Sequence, residues 1–271
     1  MRIIGEKING TLEQVKKAVK ERNATYIQDL ARRQVEAGSD LLDVNAGTSP
    51  DQEPDALSWL VRTVQEEVDT PLCLDSANPR ALAAALREVK QRPMINSISG
   101  ERARIEGILP LVREHDCSVI ALAMDENGIP KDVAGRLAVI RRLIKETRGA
   151  GISDEKICVD PLAIAVSTNT EGGLTALEAM RTVRSEFPNV HLCVGLGNIS
   201  FGLPARSLIN RAFLTLALAA GMDTAIMDPF DRELRGEMLA AEVLLGRDRY
   251  CLNYTRAYRA GQIGKKREGS P

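Results

Sequence analysis

The chain has 271 residues, of which 44% are apolar and 27% are charged. This is enough to bury the core of one domain in the size range of a closed α/β barrel, about 250 residues. Its 36 Lys and Arg residues are balanced by 37 Asp and Glu residues, for a formal net charge of −1, so no basic field is available to hold a nucleic acid.

The cysteines and histidines bear on whether the protein has disulfides or a metal site. The five cysteines are odd in number, far apart and without a CxxC pair, which disfavours a disulfide framework or a structural zinc site. His115 and His191 are the two histidines, and neither is paired with acids at the spacing of metal ligands. The chain opens on the strand-like RIIGEK, and no apolar run approaches the roughly 18 residues that span a bilayer. We therefore expect a cytoplasmic protein with no metal and no membrane partner.

Short apolar runs typical of strands alternate with longer stretches whose apolar residues recur at helical spacing. Strands are predicted near residues 2–5, 40–44, 71–74, 93–96, 118–123, 156–159, 191–195 and 223–227. Helices are predicted between and after them, near 25–37, 54–68, 79–89, 101–115, 131–148, 171–187, 206–220 and 231–246. A last helical stretch is predicted over 251–259.

This alternation predicts the fold. Strands that follow one another through a helix run parallel, and eight such units are typical of a (β/α)8 TIM barrel in a single domain. An open doubly wound sheet is the alternative, and the lack of a GxGxxG or GxxxxGK turn after the first strand counts against it. We expect the barrel to cover residues 1–258, and the charged stretch 259–271 to be a disordered tail because it has little to bury.

Polar residues close the predicted strands, at the barrel end where active sites are formed. In chain order they are Glu6, Lys7 and Asn9; Asp43 and Asn45; Asp75 and Ser76; Asn96 and Ser97; Asp125; Asp160; Asn198 and Ser200; and Asp228. Any one of them is equally well explained as a helix cap or turn former. Their recurrence at all eight strand ends favours a pocket rich in acceptors with several amides. Such a pocket suits a flat ligand with several N–H donors along one edge, which a pterin, a purine or a guanidinium compound would provide.

Eight ordered motifs carry more specific information. They are GEKING (5–10), LLDVNAG (41–47), LCLDS (72–76), MINSISGE (94–101), GIPKD (128–132), CVDPL (158–162), VGLGNIS (194–200) and RSLINRAFLTLALAAGMDTAI (206–226). In this order and spacing they resemble the pterin-binding methyltransferases, especially the methyltetrahydrofolate corrinoid/iron-sulfur protein methyltransferases and the methylcobalamin tetrahydrofolate methyltransferases. The resemblance runs to about Tyr258. It implies a barrel enzyme that moves a methyl group between N5 of methyltetrahydrofolate and a corrinoid cobalt.

The resemblance also implies roles for single residues. Asp75, Asn96 and Asp160 match the acids and the amide that hold the pterin, Asn198 matches the Asn that faces N5, and Arg206 matches an Arg beside the ligand. The predicted catalytic residues are therefore Asn198, Asp160 and Asp75, and the predicted substrate-binding residues are Asp75, Asn96, Asp160, Asn198, Arg206, Gly195, Asp43, Glu6 and Asn9. Phe201 departs from the corrinoid/iron-sulfur branch, which carries a polar residue there, so the branch stays open.

The partners follow from size and from the resemblance. A corrinoid (cobalamin) is too large for a barrel interior filled by side chains, and the chain has no DxHxxG-like cobalamin-binding motif. We expect tetrahydrofolate or methyltetrahydrofolate as substrate and the corrinoid on a separate carrier protein. The resemblance further implies a homodimer.

Three alternatives remain at this point. Dihydropteroate synthase shares barrel and pocket, but its STRP- and KxxR-like basic loops are absent from 46–51 and 199–206. A non-catalytic folate-binding protein would use the same pocket. An unrelated barrel lyase or aldolase would need a Schiff-base Lys, and the strand-associated lysines are Lys7 and Lys156, the latter at the wrong end of its strand.

Overall fold

Strands and helices alternate along residues 1–264, the part of the chain that this computed structural model describes. The strands are β1 Arg2–Asn9, β2 Leu41–Asn45, β3 Leu72–Asp75, β4 Met94–Ser99, β5 Ser118–Leu122, β6 Ile157–Asp160, β7 His191–Leu192 and β8 Thr224–Met227. The helices are α1 Glu13–Glu21, α2 Ala24–Glu36, α3 Glu53–Glu67, α4 Pro79–Leu86, α5 Arg102–Glu114, α6 Val133–Gly149, α7 Gly172–Glu186, α8 Arg206–Ala219, α9 Arg232–Leu244 and α10 Leu252–Arg259.

The strands form one parallel sheet that closes on itself. Their order is β7-β6-β5-β4-β3-β2-β1-β8, so each strand lies beside its neighbour in sequence. A parallel bridge between Gly195 and Ile226 joins the two edge strands, and the Ile226 N–H donates to the Val194 carbonyl at 3.0 Å. The predicted (β/α)8 barrel is thereby confirmed.

The barrel interior is apolar in its lower half. Because side chains alternate along a strand, every second residue points inward. The inner layer consists of Ile4, Leu41, Cys73, Met94, Ile120, Cys158 and Cys193, all buried. Two residues further along several strands stand polar side chains, among them Glu6, Asp43, Asp75, Asn96 and Asp160. Strand alternation therefore places a polar layer on an apolar floor at the carboxyl end of the barrel.

The structure differs from the predicted elements at three strands and one helix, and one of these strands is β4, which continues past the predicted 93–96 to Ser99. Strand β1 continues to Asn9, so Glu6 lies within it. Strand β7 stops at Leu192, and a 3-10 turn over Leu196–Ser200 follows because Gly195 and Gly197 loosen the extended backbone. Helix α1 was not predicted, although its buried residues Val15, Ala18 and Val19 stand at helical spacing among charged residues.

The C-terminal residues that the structure describes close against the barrel. Helix α10 ends at Arg259, and Ile263 is only 4% exposed, beside Gly236 of α9. The rest of the predicted tail, 265–271, lies outside the described residues. Within residues 1–264, no helix is both long and apolar enough to cross a bilayer.

Candidate functional site

Two carboxylates and two amides meet at the carboxyl ends of β2, β3 and β4. The strand register pairs Asp75 with Asn96. The Asn45 Nδ2 donates to the Asp75 Oδ2 at 2.9 Å, and the Asn96 Nδ2 donates to the Asp43 Oδ1 at 3.2 Å. The predicted residues Asp43, Asp75 and Asn96 are therefore brought together, and Asn45 joins them.

Burial makes the negative charge of this group costly. Burial raises the pKa of Asp43 well above its usual value, and the neighbouring charge of Asp75 raises it further. Burial also raises the pKa of Asp75, against the lowering effect of the hydrogen bond from Asn45. A ligand that donates N–H groups to these carboxylates stabilises their charged forms, so the group favours a donor edge.

Asp160 lies at the end of β6 and is 4% exposed. Its Oδ1 accepts from the Leu162 N–H at 2.7 Å, and the Gly195 backbone also donates to it. Burial raises its pKa to about 6, although these hydrogen bonds and the charge of Arg136 oppose the shift. The carboxyl is thus fixed in orientation and titrates near neutral pH.

Arg136 is a buried cation behind this strand that the sequence reading missed. It is 0% exposed, and its Nη1 donates to the carbonyls of Pro161 and Leu162 at 2.9 and 2.6 Å. It therefore holds the loop whose Leu162 N–H orients Asp160. Its position four and seven residues before Ile140 and Leu143, on the apolar face of α6, is the signal that could have revealed it.

Asn198 lies in the 3-10 turn that follows β7 at the barrel mouth. Its side chain is exposed and makes no hydrogen bond within residues 1–264. A Cβ on Gly195 would lie 2.9 Å from the Asn198 Nδ2, so the glycine leaves room for this amide. The Gly195 N–H meanwhile donates to Asp160. Gly195 thus connects the orientation of Asp160 with that of Asn198.

Glu6 and Arg206 line a small cleft of about 260 Å³ between β1, β8 and α8, together with Lys7 and Asp228. Burial raises the pKa of Glu6, which the charge of Lys7 partly offsets. Lys7 forms an ion pair with Asp228. The Arg206 Nε donates to the Ser200 Oγ at 3.0 Å and its Nη2 to the Gly197 carbonyl at 2.6 Å. Arg206 therefore fastens the turn that carries Asn198.

Two strand-end residues hold their own turns. The Asn9 Oδ1 accepts from the Thr11 N–H at 2.9 Å and from the Thr11 Oγ1 at 2.8 Å. The Asp125 Oδ1 accepts from the Asn127 N–H at 2.9 Å. At these two positions the side chains stabilise turns, as the alternative interpretation of the sequence expected.

A family profile described as pterin binding enzyme matches residues 5–228. The chain belongs to this family. It is also 40% identical to the methylcorrinoid:tetrahydrofolate methyltransferase of Eubacterium limosum, over 97% of this chain and 98% of that protein. The predicted family resemblance is thereby confirmed.

This pterin-binding enzyme is also similar to methionine synthases in sequence and to dihydropteroate synthases in structure. It is 32% identical to the methionine synthase of Mycobacterium leprae over 83% of its own length, but that match spans only 20% of the synthase. Dihydropteroate synthases from Coxiella burnetii and Yersinia pestis superpose with TM-scores of 0.68 and 0.66 at 17% and 19% identity. The alignments cover 90% and 92% of this chain and 92% and 93% of those chains. At this identity the two structures support the barrel fold alone.

Proposed function

We propose that this pterin-binding enzyme is a methyltransferase that moves a methyl group between a corrinoid on a carrier protein and N5 of tetrahydrofolate. One observation carries the proposal: a ring of buried and half-buried carboxylates and amides faces an unpaired Asn198 across the same mouth. The similarity to a methylcorrinoid:tetrahydrofolate methyltransferase along nearly the whole of both chains supports it.

The pterin ring would be held by Asp75, Asn96 and Asp160. The two carboxylates accept from the 2-amino group and the ring N–H groups, and the Asn96 amide both donates to O4 and accepts from a neighbouring N–H. Asp43 supports Asn96 through their hydrogen bond of 3.2 Å. The apolar floor of Cys73, Met94 and the residues around them keeps water from beneath the ring, which strengthens these contacts.

Asn198 would act at N5. A departing N5 anion is unstable, so transfer of the methyl away from N5 requires a hydrogen bond or a proton there, and the reverse transfer requires N5 to keep its lone pair. The Asn198 amide is free to donate to N5 or to accept from its N–H. The corrinoid cobalt supplies the carrier for the methyl group, and this chain supplies orientation and hydrogen bonds.

The corrinoid carrier would dock over the mouth, because the layer of Ile4, Cys73, Met94, Ile120 and Cys158 fills the barrel below the site. We also propose a homodimer and a role in one-carbon metabolism. Exposed apolar side chains of α8 to α10 support the homodimer, among them Leu208, Leu216 and Leu252. A cytoplasmic location is supported by five unpaired cysteines.

The proposal is tested by mixing the protein with methyltetrahydrofolate and cob(I)alamin in a stopped-flow spectrometer. We expect the Co(I) absorbance to disappear at a rate that saturates with protein and folate concentration. Folate binding without any loss of the Co(I) absorbance would identify a non-catalytic folate-binding protein instead. Formation of dihydropteroate from a pterin pyrophosphate and 4-aminobenzoate would identify a dihydropteroate synthase.

A further inference from the structure

A second cleft, of about 600 Å³, opens beside the pterin site between α1 and the loop from β2 to α3. Its lining residues include Lys16, Lys20, Arg22, Thr48 and Ser49. It adjoins the barrel mouth because Gly10 and Gly47, which follow β1 and β2, pack backbone against backbone: a Cβ on Gly47 would lie 2.3 Å from the carbonyl carbon of Gly10.

The cations on one wall of this cleft are unpaired. Within residues 1–264, neither the Lys16 nor the Lys20 ammonium group makes a hydrogen bond or an ion pair. They stand four residues apart on one helical face, an arrangement of like charges that disfavours the helix itself. By contrast, Arg22 is engaged by Asp55 and lies 4.9 Å from the centroid of the Trp59 ring.

The facing wall offers a hydroxyl without a partner. The Thr48 Oγ1 is buried and lacks any hydrogen-bond partner, which is unfavourable unless a ligand supplies one. Of the two acids that line the cleft, Asp55 is paired with Arg22, and Asp51 lies 3.6 Å from Arg80. The cleft therefore combines two free cations with a free hydroxyl, which is the chemistry of a carboxylate-binding site.

The position of the cleft relative to the pterin site suggests which carboxylates bind. In the proposed pose, β3, β4 and β6 hold the donor edge of the ring, so the substituent at its far end points toward β7, β8, β1 and β2. Thr48 follows Asn45 by three residues, so their Cα atoms are at most roughly 10 Å apart. Because Asn45 contacts Asp75, the cleft lies close to the proposed ring-binding residues. The other basic cleft on this side is less suitable, since Lys7 and Arg206 are already paired within the protein.

We propose that this cleft binds the γ-linked glutamyl tail of the folate substrate, and this inference rests on the proposed function. A folate ends in a glutamate with two carboxylates, and each additional γ-linked glutamate adds one more. Lys16 and Lys20 pair with these carboxylates, and the Thr48 hydroxyl donates to one of them. Polyglutamylated folates are then the preferred substrates.

Calorimetric titration of the full chain with 5-methyltetrahydrofolate and with its triglutamate form tests the proposal. We expect the wild type to bind the triglutamate roughly tenfold more tightly, the effect of two partly exposed ion pairs, with the preference declining as salt is added. The double variant K16Q/K20Q loses the preference, because it weakens binding of the triglutamate much more than binding of the monoglutamate. T48V loses part of it, and K17Q, which changes a lysine of α1 outside the lining of the cleft, keeps it.

Three results would overturn the proposal, and they point to different errors. A wild type without preference for the triglutamate rejects the tail site and leaves the proposed function intact. A double variant that weakens both folates equally assigns the lysines to the fold or to the ring site. A wild type that binds neither folate rejects the proposed function itself.

Discussion

At the scale of single residues, the side chains proposed to hold the pterin ring differ in burial and pairing from Asn198, which is proposed to act on it. Asp75, Asn96 and Asp160 are buried or half-buried and connected to neighbours. Asn198 is exposed and unpaired within the described residues. A residue that acts only as charge changes at N5 contributes to the rate of the reaction more than to ground-state affinity.

Replacement of Asn198 by Ala is therefore expected to slow methyl transfer by roughly 10²-fold, the effect of removing one donor at a developing charge. The dissociation constant of methyltetrahydrofolate is expected to change less than about fivefold, because a neutral hydrogen bond contributes about 1 kcal/mol. Single-turnover rates and equilibrium titration measure the two effects. Asn189→Ala, at an exposed position just before β7, is the matched control. An equal loss in rate and affinity would contradict the role at N5.

Asp160 leads to a pH prediction. Its pKa is raised to about 6, and only its charged form accepts the pterin N–H groups without donating. The affinity for tetrahydrofolate should therefore rise as the pH increases from about 5 to 7, because the acceptor form becomes populated. The affinity of the wild type is divided by that of Asp160→Asn at each pH, so that protonation of the ligand, which affects both proteins equally, cancels. A ratio that does not change across pH 6 would show that Asp160 does not hold the ring as a carboxylate.

At the scale of elements, one side of the barrel mouth is shaped by helix α1 and by the close packing of the loops that follow β1 and β2. The alternation of strands and helices alone does not predict this side. A Cβ on Gly10 would lie 2.1 Å from the Ala46 carbonyl oxygen. That backbone cannot move without displacing β2, which ends at Asn45 beside Asp75.

Gly10→Ala is expected to lower the free energy of unfolding by about 1–3 kcal/mol, the usual effect of overpacking, and to weaken folate binding. Urea denaturation followed by circular dichroism measures the first effect. Gly149→Ala is the control: it lies near the end of α6 with no heavy atom within 4 Å of the added Cβ, and better helix propensity should leave stability unchanged or slightly raised. Equal stability of both variants would mean that the Gly10 contact relaxes without cost.

Local patterns account for most elements and for the polar layer, but not for what depends on packing between distant segments. Short apolar runs predicted the eight strands, and apolar residues at a period of 3.6 predicted the helices that follow them. Helix α1 was missed because it is short and packs on the barrel through only three buried side chains. The role of Arg136 was missed because a single Arg in a helix is usually solvated, whereas here it is buried and its Nη1 donates to the carbonyls of Pro161 and Leu162.

At the scale of the whole molecule, barrel closure sets the geometry of the site. Strands β7 and β8 meet through the Gly195–Ile226 bridge and the hydrogen bond from the Ile226 N–H to Val194. This closure brings the turn that carries Asn198 opposite the group of Asp43, Asp75 and Asn96. An open sheet would leave the two halves at opposite edges, so the proposed action of Asn198 at N5 requires the closed barrel.

A crystal structure of the protein with bound tetrahydrofolate tests this arrangement most directly. We expect the 2-amino and ring N–H edge of the pterin to lie within hydrogen-bonding distance of Asp75, Asn96 and Asp160, with N5 beside the Asn198 amide. A pterin bound outside the barrel mouth, or one whose donor edge faces solvent while those three side chains keep only their protein contacts, would contradict it.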